Sequence, residues 1–168
     1  MCVIERTVVE VKLNRGFVAF IDSDDIEMVN LYNWNVMFSR RTQYALTLDD
    51  FGHRLLMHRQ IIDAPRGTQV DHVNGNGLDN RRCNLRFATA QQNAANAAKP
   101  RISGCTSIYK GVYLELSGQR KKRWRAGIRV DSKRIHLGSF ATEAEAAVAY
   151  NKAATEHFGE YARLNFDN

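Results

Sequence analysis

The pattern of apolar and polar residues predicts short strands over most of the first sixty positions. Val8–Leu13 and Gly16–Ile21 are rich in apolar residues and flank a polar turn, which favours a β-hairpin. Ser23 precedes several acidic residues and can begin a short helix that runs through about Tyr32. Further strands are predicted over Asn33–Phe38, Gln43–Leu48 and Arg54–Ile61.

The last third of the chain shows a cleaner alternation. Three strands are predicted there, separated by polar turns: Tyr109–Glu115, Arg123–Val130 and Arg134–Ser139. In the second of these strands, one face carries Arg123, Arg125 and Arg129, and the other carries Trp124, Ala126, Ile128 and Val130. In the third strand, Arg134 and His136 lie on one face, and Ile135 and Leu137 lie on the other. The alternation therefore predicts a sheet with one apolar face and one basic face.

A helix is predicted directly after this sheet. Thr142 and Glu145 form a capping box, and alanine and tyrosine recur at helical spacing as far as Gly159. Because most of these apolar side chains are small, the helix can lie close against the apolar face of the sheet. The prediction is a two-layer module of three antiparallel strands and one helix, with the basic face exposed.

The middle of the chain has a different pattern, in which polar residues dominate. It reads VDHVNGNGLDNRRCNLRFATAQQNAAN from Val70 to Asn96. The Asn and Gly cluster after His72 predicts a turn, and the residues from Leu85 to Phe87 predict a short strand. Thr89 and Gln92 have the spacing of a capping box, so a helix is expected to follow, with Asn93 in its first turn. The predicted order is strand, loop, strand, helix.

The residue types in this segment suit phosphodiester hydrolysis. His72 has an ordinary pKa of about 6.5, so its neutral form can take a proton from a water molecule. Mg²⁺ prefers oxygen ligands and keeps several waters, so a carboxylate such as Asp71 and an amide such as Asn93 are enough to hold it. Because neighbours on a strand point to opposite faces, Asp71 and His72 can serve one phosphate only if the chain bends at Val70–Val73.

The whole segment resembles the H-N-H nuclease motif, a ββα-metal site with His72, Asn84 and Asn93 at its three named positions. The resemblance implies that His72 is the general base, that Asn84 holds the loop, and that Asp71 and Asn93 bind Mg²⁺ or Mn²⁺. Taken singly, each of these residues is more often a turn, cap or surface residue; it is the complete set that favours a nuclease. Candidate phosphate contacts, for which solvated surface charge or ordinary burial is the alternative, are His58, Arg59, Arg81 and Arg82.

Charge is distributed unevenly along the 168 residues, whose net charge is +6. Residues 1–57 hold six Lys/Arg and eight Asp/Glu, which gives −2, and residues 58–98 hold five and three, which gives +2. Residues 99–168 hold thirteen and seven, which gives +6. A basic chain with a pI of about 9.4 favours a polyanionic partner, and that partner should meet the last third.

Other features exclude some protein classes. The sequence has neither an apolar run near 18 residues nor a signal-peptide pattern, so a soluble protein that does not bind membranes is expected. Cys2, Cys83 and Cys105 are isolated, which argues against a structural zinc site and for a reducing cytoplasm. We therefore expect a cytoplasmic location, and the H-N-H resemblance implies a bacterial host cell and a phage-encoded gene.

A second resemblance covers about Tyr109–Phe166. The segments YKGVYLE, RWRAGIRV, KRIHLGSFATEAEAAVAYNKAA and ARLNF resemble the Apetala-two/ethylene-response-factor DNA-binding domain. The resemblance implies DNA contact by the sheet, with Lys110, Arg129 and Arg134 at basic contact positions of the family. His136 stands where tryptophan is usual, and Tyr113 and Glu115 replace arginines. The expected DNA-binding residues are Lys110, Tyr113, Arg123, Arg125, Arg129, Arg134 and His136.

These observations predict an α+β protein: a β-rich leader (1–57), a ββα-metal nuclease core (58–98), a linker (99–108) and an Apetala-two-like domain (109–168). The leader also resembles that of phage H-N-H proteins, through VKLNRGFVAFIDSDDIEMVNLYNWNV and LLMHRQII. The expected function is metal-dependent cleavage of double-stranded DNA by a homing-type or related phage endonuclease, acting as a monomer or homodimer. Two alternatives stay open: a DNA-binding regulator that uses the H-N-H fold only as scaffold, and an RNA-directed nuclease or binder, which would place stacking aromatics on the exposed sheet face.

Overall fold

The computed structural model describes residues 7–40, 42–100, 104–115 and 123–166. The chain forms two compact units, Met1–Thr89 and Ala90–Asn168, each with small antiparallel sheets or short helices of its own. The fold is therefore mixed α and β, as expected. Cys2 and residues 101–103 of the predicted linker lie outside the described residues.

The first unit is built mainly from three small sheets. β1 (Val8–Lys12) and β2 (Val18–Asp22) form the predicted hairpin, and a short 3-10 turn at Asn14–Gly16 connects them. A three-stranded sheet follows, with β4 in its centre. Its strands are β3 (Asn35–Phe38), β4 (Gln43–Leu48) and β5 (Arg54–Leu56). The third sheet is the hairpin of β6 (Gln69–His72) and β7 (Leu85–Ala88).

Two short helices differ from the sequence prediction. The helix expected from Ser23 to about Tyr32 is a 3-10 turn at Ser23–Asp25 followed by α1 (Ile26–Val29). The strand expected over Arg54–Ile61 ends at Leu56, and Met57–Ile61 forms helix α2. The strand prediction was therefore wrong beyond Leu56, because a short apolar run does not by itself distinguish a buried strand from a buried helix.

Helix α2 is fixed by the core of the first unit. Met57 and Ile61 are buried on the same side of the helix, together with core residues of β2 and β4. Burial of each such side chain stabilises the fold by about 1.5–3 kcal/mol. Trp34 lies in the same core, and its indole nitrogen donates a hydrogen bond to the Val29 carbonyl at 2.8 Å. Because Met57 and Ile61 are anchored, the next residue after Met57, His58, is held inside the unit.

The long loop between β6 and β7 is attached to the rest of the first unit. Phe20 of β2 forms a parallel bridge with Asp79, and its backbone exchanges hydrogen bonds with Leu78 at 2.8 Å and Asn80 at 2.7 Å. At Gly77 the loop passes so close to β4 that a Cβ atom would lie 2.3 Å from the Gln43 carbonyl oxygen. Any side chain there would push the loop away, so the glycine is required by the close approach.

The second unit contains α3 (Ala90–Asn96), a three-stranded antiparallel sheet and a long helix. The strands are β8 (Val112–Glu115), β9 (Arg123–Val130) and β10 (Lys133–Phe140), with β9 in the centre. The predicted strand at Tyr109 begins only at Val112, because the chain turns at Gly111, where φ is +73°. A Cβ on Gly111 would also collide with the ring of Tyr150.

Helix α4 (Glu143–Phe158) covers the apolar face of this sheet, as predicted. The expected capping box is present: the Thr142 hydroxyl accepts from the Glu145 amide, and the Glu145 carboxylate accepts from the Thr142 amide. Two clusters of small and aromatic side chains fill the space between the helix and β8–β10. No helix in the described ranges is long and apolar enough to cross a membrane.

Candidate functional site

His72 ends strand β6 inside a cluster of three rings. It is 5% exposed, and its ring centroid lies 4.9 Å from that of His58, in an edge-to-face arrangement. Tyr44 closes the cluster, with centroids 5.8 Å from His72 and 5.5 Å from His58. Burial lowers the pKa of His72 below its ordinary 6.5, although Asn80, Asp71 and Asp79 oppose the shift. His72 is therefore a neutral imidazole at neutral pH.

Asn80 determines which nitrogen of His72 carries the proton. Its side chain is fully buried, and its amide nitrogen donates to the Leu78 carbonyl at 3.2 Å and contacts the Met57 sulfur at 3.4 Å. These contacts leave the amide oxygen, an acceptor, directed at Nε2 of His72 at 3.4 Å. Nε2 must then be the donor, so Nδ1 carries the lone pair. A lone pair on a neutral, buried ring nitrogen is what a general base requires.

Asp71 binds a different partner from that of its neighbour, His72. It pairs across the hairpin with Arg86, whose Nε and Nη2 donate to the same carboxylate oxygen at 2.9 and 2.8 Å. Both side chains are largely buried, so the carboxylate is held in one orientation. β6 pairs with β7 without a break as far as His72. The hairpin therefore shows no bend at Asp71 or His72, and the chain turns only from Val73, whose amide still donates to the Asn84 carbonyl at 2.9 Å.

Asn84 closes the loop between the two strands. Its amide nitrogen donates to the Asp79 carbonyl at 2.7 Å and to the Asn74 side chain at 3.1 Å, and its oxygen accepts from the Asn74 amide at 3.0 Å. Asn74 in turn donates to the Asp79 carboxylate at 2.8 Å. These bonds join both ends of the loop, so the Asn84 side chain holds the loop closed.

The three arginines considered as phosphate contacts all have partners inside the protein. Arg81 makes two hydrogen bonds of 2.7 Å to the Asp79 carboxylate, which lowers the pKa of Asp79. Arg82 makes an ion pair of 2.6 Å with the buried Asp25. Arg59 donates to backbone carbonyls of Thr68, Ala64 and Pro65 at 2.5, 3.1 and 2.8 Å. All three guanidinium groups stabilise the fold of the first unit.

His58, the remaining candidate, is buried beside His72. Burial lowers its pKa to about 3, with smaller contributions from His72 and Arg59. Its Nδ1 has no hydrogen-bond partner within the described part of the chain. His58 is thus a neutral ring whose clearest contacts are with Tyr44 and His72.

Asn93 belongs to the second unit, as the fourth residue of helix α3. The last turn of this helix is capped by Lys110. The Lys110 ammonium donates to the carbonyls of Ala94 at 3.1 Å, Ala97 at 2.8 Å and, by a shorter contact, Ala95. Lys110, which was expected to contact DNA, therefore neutralises the carbonyl end of α3.

The outer face of the C-terminal sheet carries the other predicted DNA-binding residues. Directly opposite residues of an antiparallel pair share a face, and the register pairs Arg129 with Arg134, Arg125 with Tyr113 and Arg123 with Glu115. His136 lies opposite Gly127 on the same face. The side chains of Ala126 and Ile128 point the other way, into the core under α4. The structure therefore gathers on one face Tyr113, Arg123, Arg125, Arg129, Arg134 and His136.

Two contacts reduce the positive charge and order the centre of this face. Arg125 forms an ion pair with Glu115, one of the two residues that replace arginines of the Apetala-two family. Arg134 reaches across the sheet and lies over the Tyr113 ring, 4.8 Å from its centroid. Arg123, Arg129, Arg134 and His136 stay exposed.

Sequence reasoning missed Asn80 and Arg86. Asn80 lies within LDNRRCN, but its inward direction depends on the bridge of the loop to β2. Arg86 could have been found, because a hairpin that closes near Asn84 places Arg86 opposite Asp71. Across the described ranges, no group of three or more His, Cys, Asp or Glu side chains lies together. The expected ligands, one carboxylate and one amide, would not make up such a group, because only one of them is among these residue types.

Comparison with known proteins gives the family. A protein-family model described as HNH endonuclease matches residues 53–95, the segment from β5 to α3. The chain is 30% identical over 157 residues to "Uncharacterized HNH endonuclease L560" of Acanthamoeba polyphaga mimivirus, which covers 90% of this chain and 76% of that protein. The chain belongs to the HNH endonuclease family. The resemblance seen in the segment from Val70 to Asn96 is thereby confirmed.

Two further relatives match parts of the chain. Protein 3.8 of Escherichia phage T7 is 31% identical over 112 residues, or 64% of this chain and 88% of that protein. "Dehydration-responsive element-binding protein 2E" of Arabidopsis thaliana is 66% identical over 35 residues, 21% of this chain but only 14% of that protein. The second likeness agrees with the Apetala-two resemblance of the last third. No solved structure matches the chain.

Proposed function

We propose that this HNH protein is a metal-dependent endonuclease that hydrolyses phosphodiester bonds in duplex DNA. The observation that carries the proposal is the buried, neutral His72, whose tautomer Asn80 fixes beside an Asp71 oriented by Arg86. Both residues lie within the segment that matches the family, residues 53–95. Burial lowers the pKa of both His58 and His72, so what favours His72 as the general base is its place in the family segment beside Asp71.

His72 has the role of general base in this proposal. A water molecule that attacks phosphorus must lose a proton, and the Nδ1 lone pair of a neutral imidazole can accept it. Because the pKa of His72 is below 6.5, the competent neutral form dominates at neutral pH. The Tyr44 and His58 rings limit how the imidazole can turn, so the lone pair keeps its direction.

Asp71 and Asn93 are the residues that would hold a divalent ion. A carboxylate and an amide carbonyl are hard oxygen donors, and this donor set suits Mg²⁺ or Mn²⁺ with water in the other positions. Arg86 contributes by keeping the Asp71 carboxylate in one orientation. When bound, such an ion supplies Lewis-acid stabilisation of charge at the scissile phosphate.

The outer face of the C-terminal sheet is the proposed DNA-binding surface. Its exposed cations are Arg123, Arg129 and Arg134, with His136 beside them. A strand-built face of this kind can enter the major groove, where arginine reads guanine edges or contacts phosphate. The similarity of the last third to the Arabidopsis element-binding protein supports this surface. Arg81 and Arg82 are not included among the proposed DNA contacts. To bind a phosphate, each would have to leave its carboxylate partner, Asp79 or Asp25.

A plasmid cleavage assay tests the proposed function. Supercoiled DNA is incubated with wild-type protein and Mg²⁺, with EDTA in place of Mg²⁺, and with the Asp71→Asn variant. Nicked or linear product is expected only for the wild type with Mg²⁺, and the ratio of the two products distinguishes nicking from double-strand cleavage. Undiminished cleavage in EDTA would contradict a metal-dependent mechanism, and full activity of Asp71→Asn would remove that residue from the site.

One observation favours a second function, that of a DNA-binding regulator without cleavage. The C-terminal likeness is to a protein named for binding a DNA element. This alternative predicts tight, sequence-dependent binding and no product in the plasmid assay with Mg²⁺ or Mn²⁺. The relatives from a mimivirus and phage T7 support a viral origin, and the homing role stays a prediction.

A further inference from the structure

One side chain of the C-terminal module makes several hydrogen bonds to the carbonyl end of helix α3. The Lys110 ammonium has three N–H donors, and it meets three backbone carbonyls there, those of Ala94, Ala95 and Ala97. The last carbonyls of a helix have no partners within the helix, so each needs an external donor. A cation at this end also opposes the helix dipole. Lys110 supplies both effects at once.

Lys110 is itself held by the segment that follows α4. Its backbone amide donates to the Asn165 side chain at 2.6 Å, and its carbonyl accepts from the same side chain at 3.1 Å. The Asn165 amide donates to buried Asn151 of α4 at 2.8 Å. Nearby, the Arg163 amide donates to the Ala95 carbonyl at 3.2 Å. An unbroken series of hydrogen bonds therefore links α4, the C-terminal segment, Lys110 and α3.

This series ends on the helix that carries Asn93. One turn of helix separates Asn93 from Ala97, and the Ala97 amide donates to the Asn93 carbonyl at 3.1 Å. If Lys110 left α3 to contact a phosphate, the Ala94 and Ala97 carbonyls would lose this donor, and the Ala95 carbonyl would keep the Arg163 amide. The expected role of Lys110 in DNA contact therefore competes with its contacts in the fold.

We propose that Lys110 is a positioning residue, which orients α3 and thereby Asn93 for cleavage, and is not a phosphate contact. The inference rests on the proposed function, in which Asn93 is a ligand of the divalent ion. It also assigns the C-terminal module a second task besides binding DNA, because the module anchors a helix of the nuclease motif.

The test compares Lys110→Met with Lys152→Met, a matched loss of one exposed lysine on α4 away from the sheet face. Arg129→Met serves as the reference for a phosphate contact. Single-turnover cleavage of a labelled duplex is measured at saturating protein over a range of Mg²⁺ concentrations. DNA affinity and its salt dependence are measured separately with Ca²⁺ in place of Mg²⁺.

For Lys110→Met we expect a loss of about 10- to 100-fold in Mg²⁺ affinity or single-turnover rate, the usual effect of removing support for a metal ligand. DNA affinity and its salt slope should match those of Lys152→Met. Lys110→Arg should restore most of the activity. In an Asn93→Ala background, Lys110→Met should cause no further loss, because the two residues act through one ligand.

Two results would overturn the proposal. A salt slope smaller by about 0.9, with a normal rate at saturating protein, would make Lys110 a phosphate contact. Behaviour identical to that of Lys152→Met in every assay would leave Lys110 without the proposed role. If Lys110→Met does not fold, Lys110→Gln, which keeps an amide donor, is judged by the same criteria.

Amide hydrogen exchange separates this inference from the proposed function. Exchange at the amides of residues 94–97 should be faster in Lys110→Met than in Lys152→Met, and this readout needs no cleavage. If the wild type does not cleave DNA, the proposed function fails, while the exchange result still decides whether Lys110 holds α3. Unchanged exchange together with active wild-type protein would overturn only the role of Lys110.

Discussion

Four arginines of the first unit differ in their partners from three arginines on the outer face of the C-terminal sheet. In the first unit, Arg59, Arg81, Arg82 and Arg86 are turned toward carboxylates or backbone carbonyls of the same unit. On the C-terminal sheet, Arg123 and Arg129 are exposed, and Arg134 is exposed while it lies over Tyr113. A count of basic residues therefore does not measure the positive charge that a partner can reach. Whether a cation is available depends on acceptors supplied by distant parts of the chain.

In the proposed function the general base lies in the first unit and the exposed cations lie in the second, and substitution of His72 is the strongest test of this division. His72→Ala should slow cleavage by about 10²- to 10⁴-fold, because the general base is lost. Binding to the same duplex should stay near the wild-type value, because the exposed cations lie elsewhere. Single-turnover cleavage and a binding titration measure the two effects. Cleavage at the wild-type rate would remove His72 from the mechanism.

Arg86 and Arg129 sharpen the contrast between a paired and an exposed arginine. Arg86→Met should destabilise the protein by about 3–5 kcal/mol, because the buried Asp71 carboxylate loses its partner. Arg129→Met should change the free energy of unfolding by no more than about 0.5 kcal/mol. Urea unfolding is followed by Trp34 fluorescence in a Trp124→Phe background for Arg86→Met, and by Trp124 fluorescence in a Trp34→Phe background for Arg129→Met, so that each signal reports on the unit that carries the substitution. Similar stability for both variants would show that Asp71 does not depend on Arg86.

The buried rings of the first unit should also make its stability depend on pH. The pKa of His58 is about 3 in the folded protein, whereas an unfolded histidine has an ordinary value of about 6.5. Below pH 6.5 the unfolded chain binds a proton that the folded chain does not, so stability should fall as the pH decreases from 6.5 toward 3. The expected slope for this group is up to about 1.4 kcal/mol per pH unit.

His58→Phe is the control for this pH effect, because it keeps a ring of similar size without a titratable nitrogen. The variant should lose less stability than the wild type between pH 6.5 and 4, and the remaining loss should include the part due to His72. The measurement is urea unfolding at each pH, followed by Trp34 fluorescence in the Trp124→Phe background. Parallel curves for the two proteins would mean that His58 is protonated in the folded state.

The smallest expected effect concerns DNA binding by the exposed arginines of the C-terminal sheet. Replacing Arg129 and Arg134 together by Met should reduce the salt slope of DNA binding by up to about 1.8 if both contact phosphate. If they read base edges instead, discrimination between matched and scrambled duplexes should fall by about 1–3 kcal/mol for each good contact. A salt titration on both duplexes distinguishes the two outcomes. An unchanged slope and preference would exclude the sheet face as the DNA-binding surface.

Local patterns in the sequence determined much of the architecture. Alternation placed β9 over Arg123–Val130 without error, and the capping box at Thr142 fixed the beginning of α4. The order of residues from Asp71 to Asn93 was enough to indicate the HNH family. These features are local, because the side-chain period of a strand or helix and the reach of a cap extend over only a few residues.

The tertiary structure alone decided which partner each polar group has. Met57–Ile61 became a helix because the core accepts Met57 and Ile61 on one helical face, and Asn80 turned inward because its loop pairs with β2. Lys110 was directed to α3 by a network that includes Asn165, 55 positions away in the chain. Such partners depend on which distant segments meet in the folded chain. A local pattern cannot specify them, because its information ends within one or two turns of the backbone.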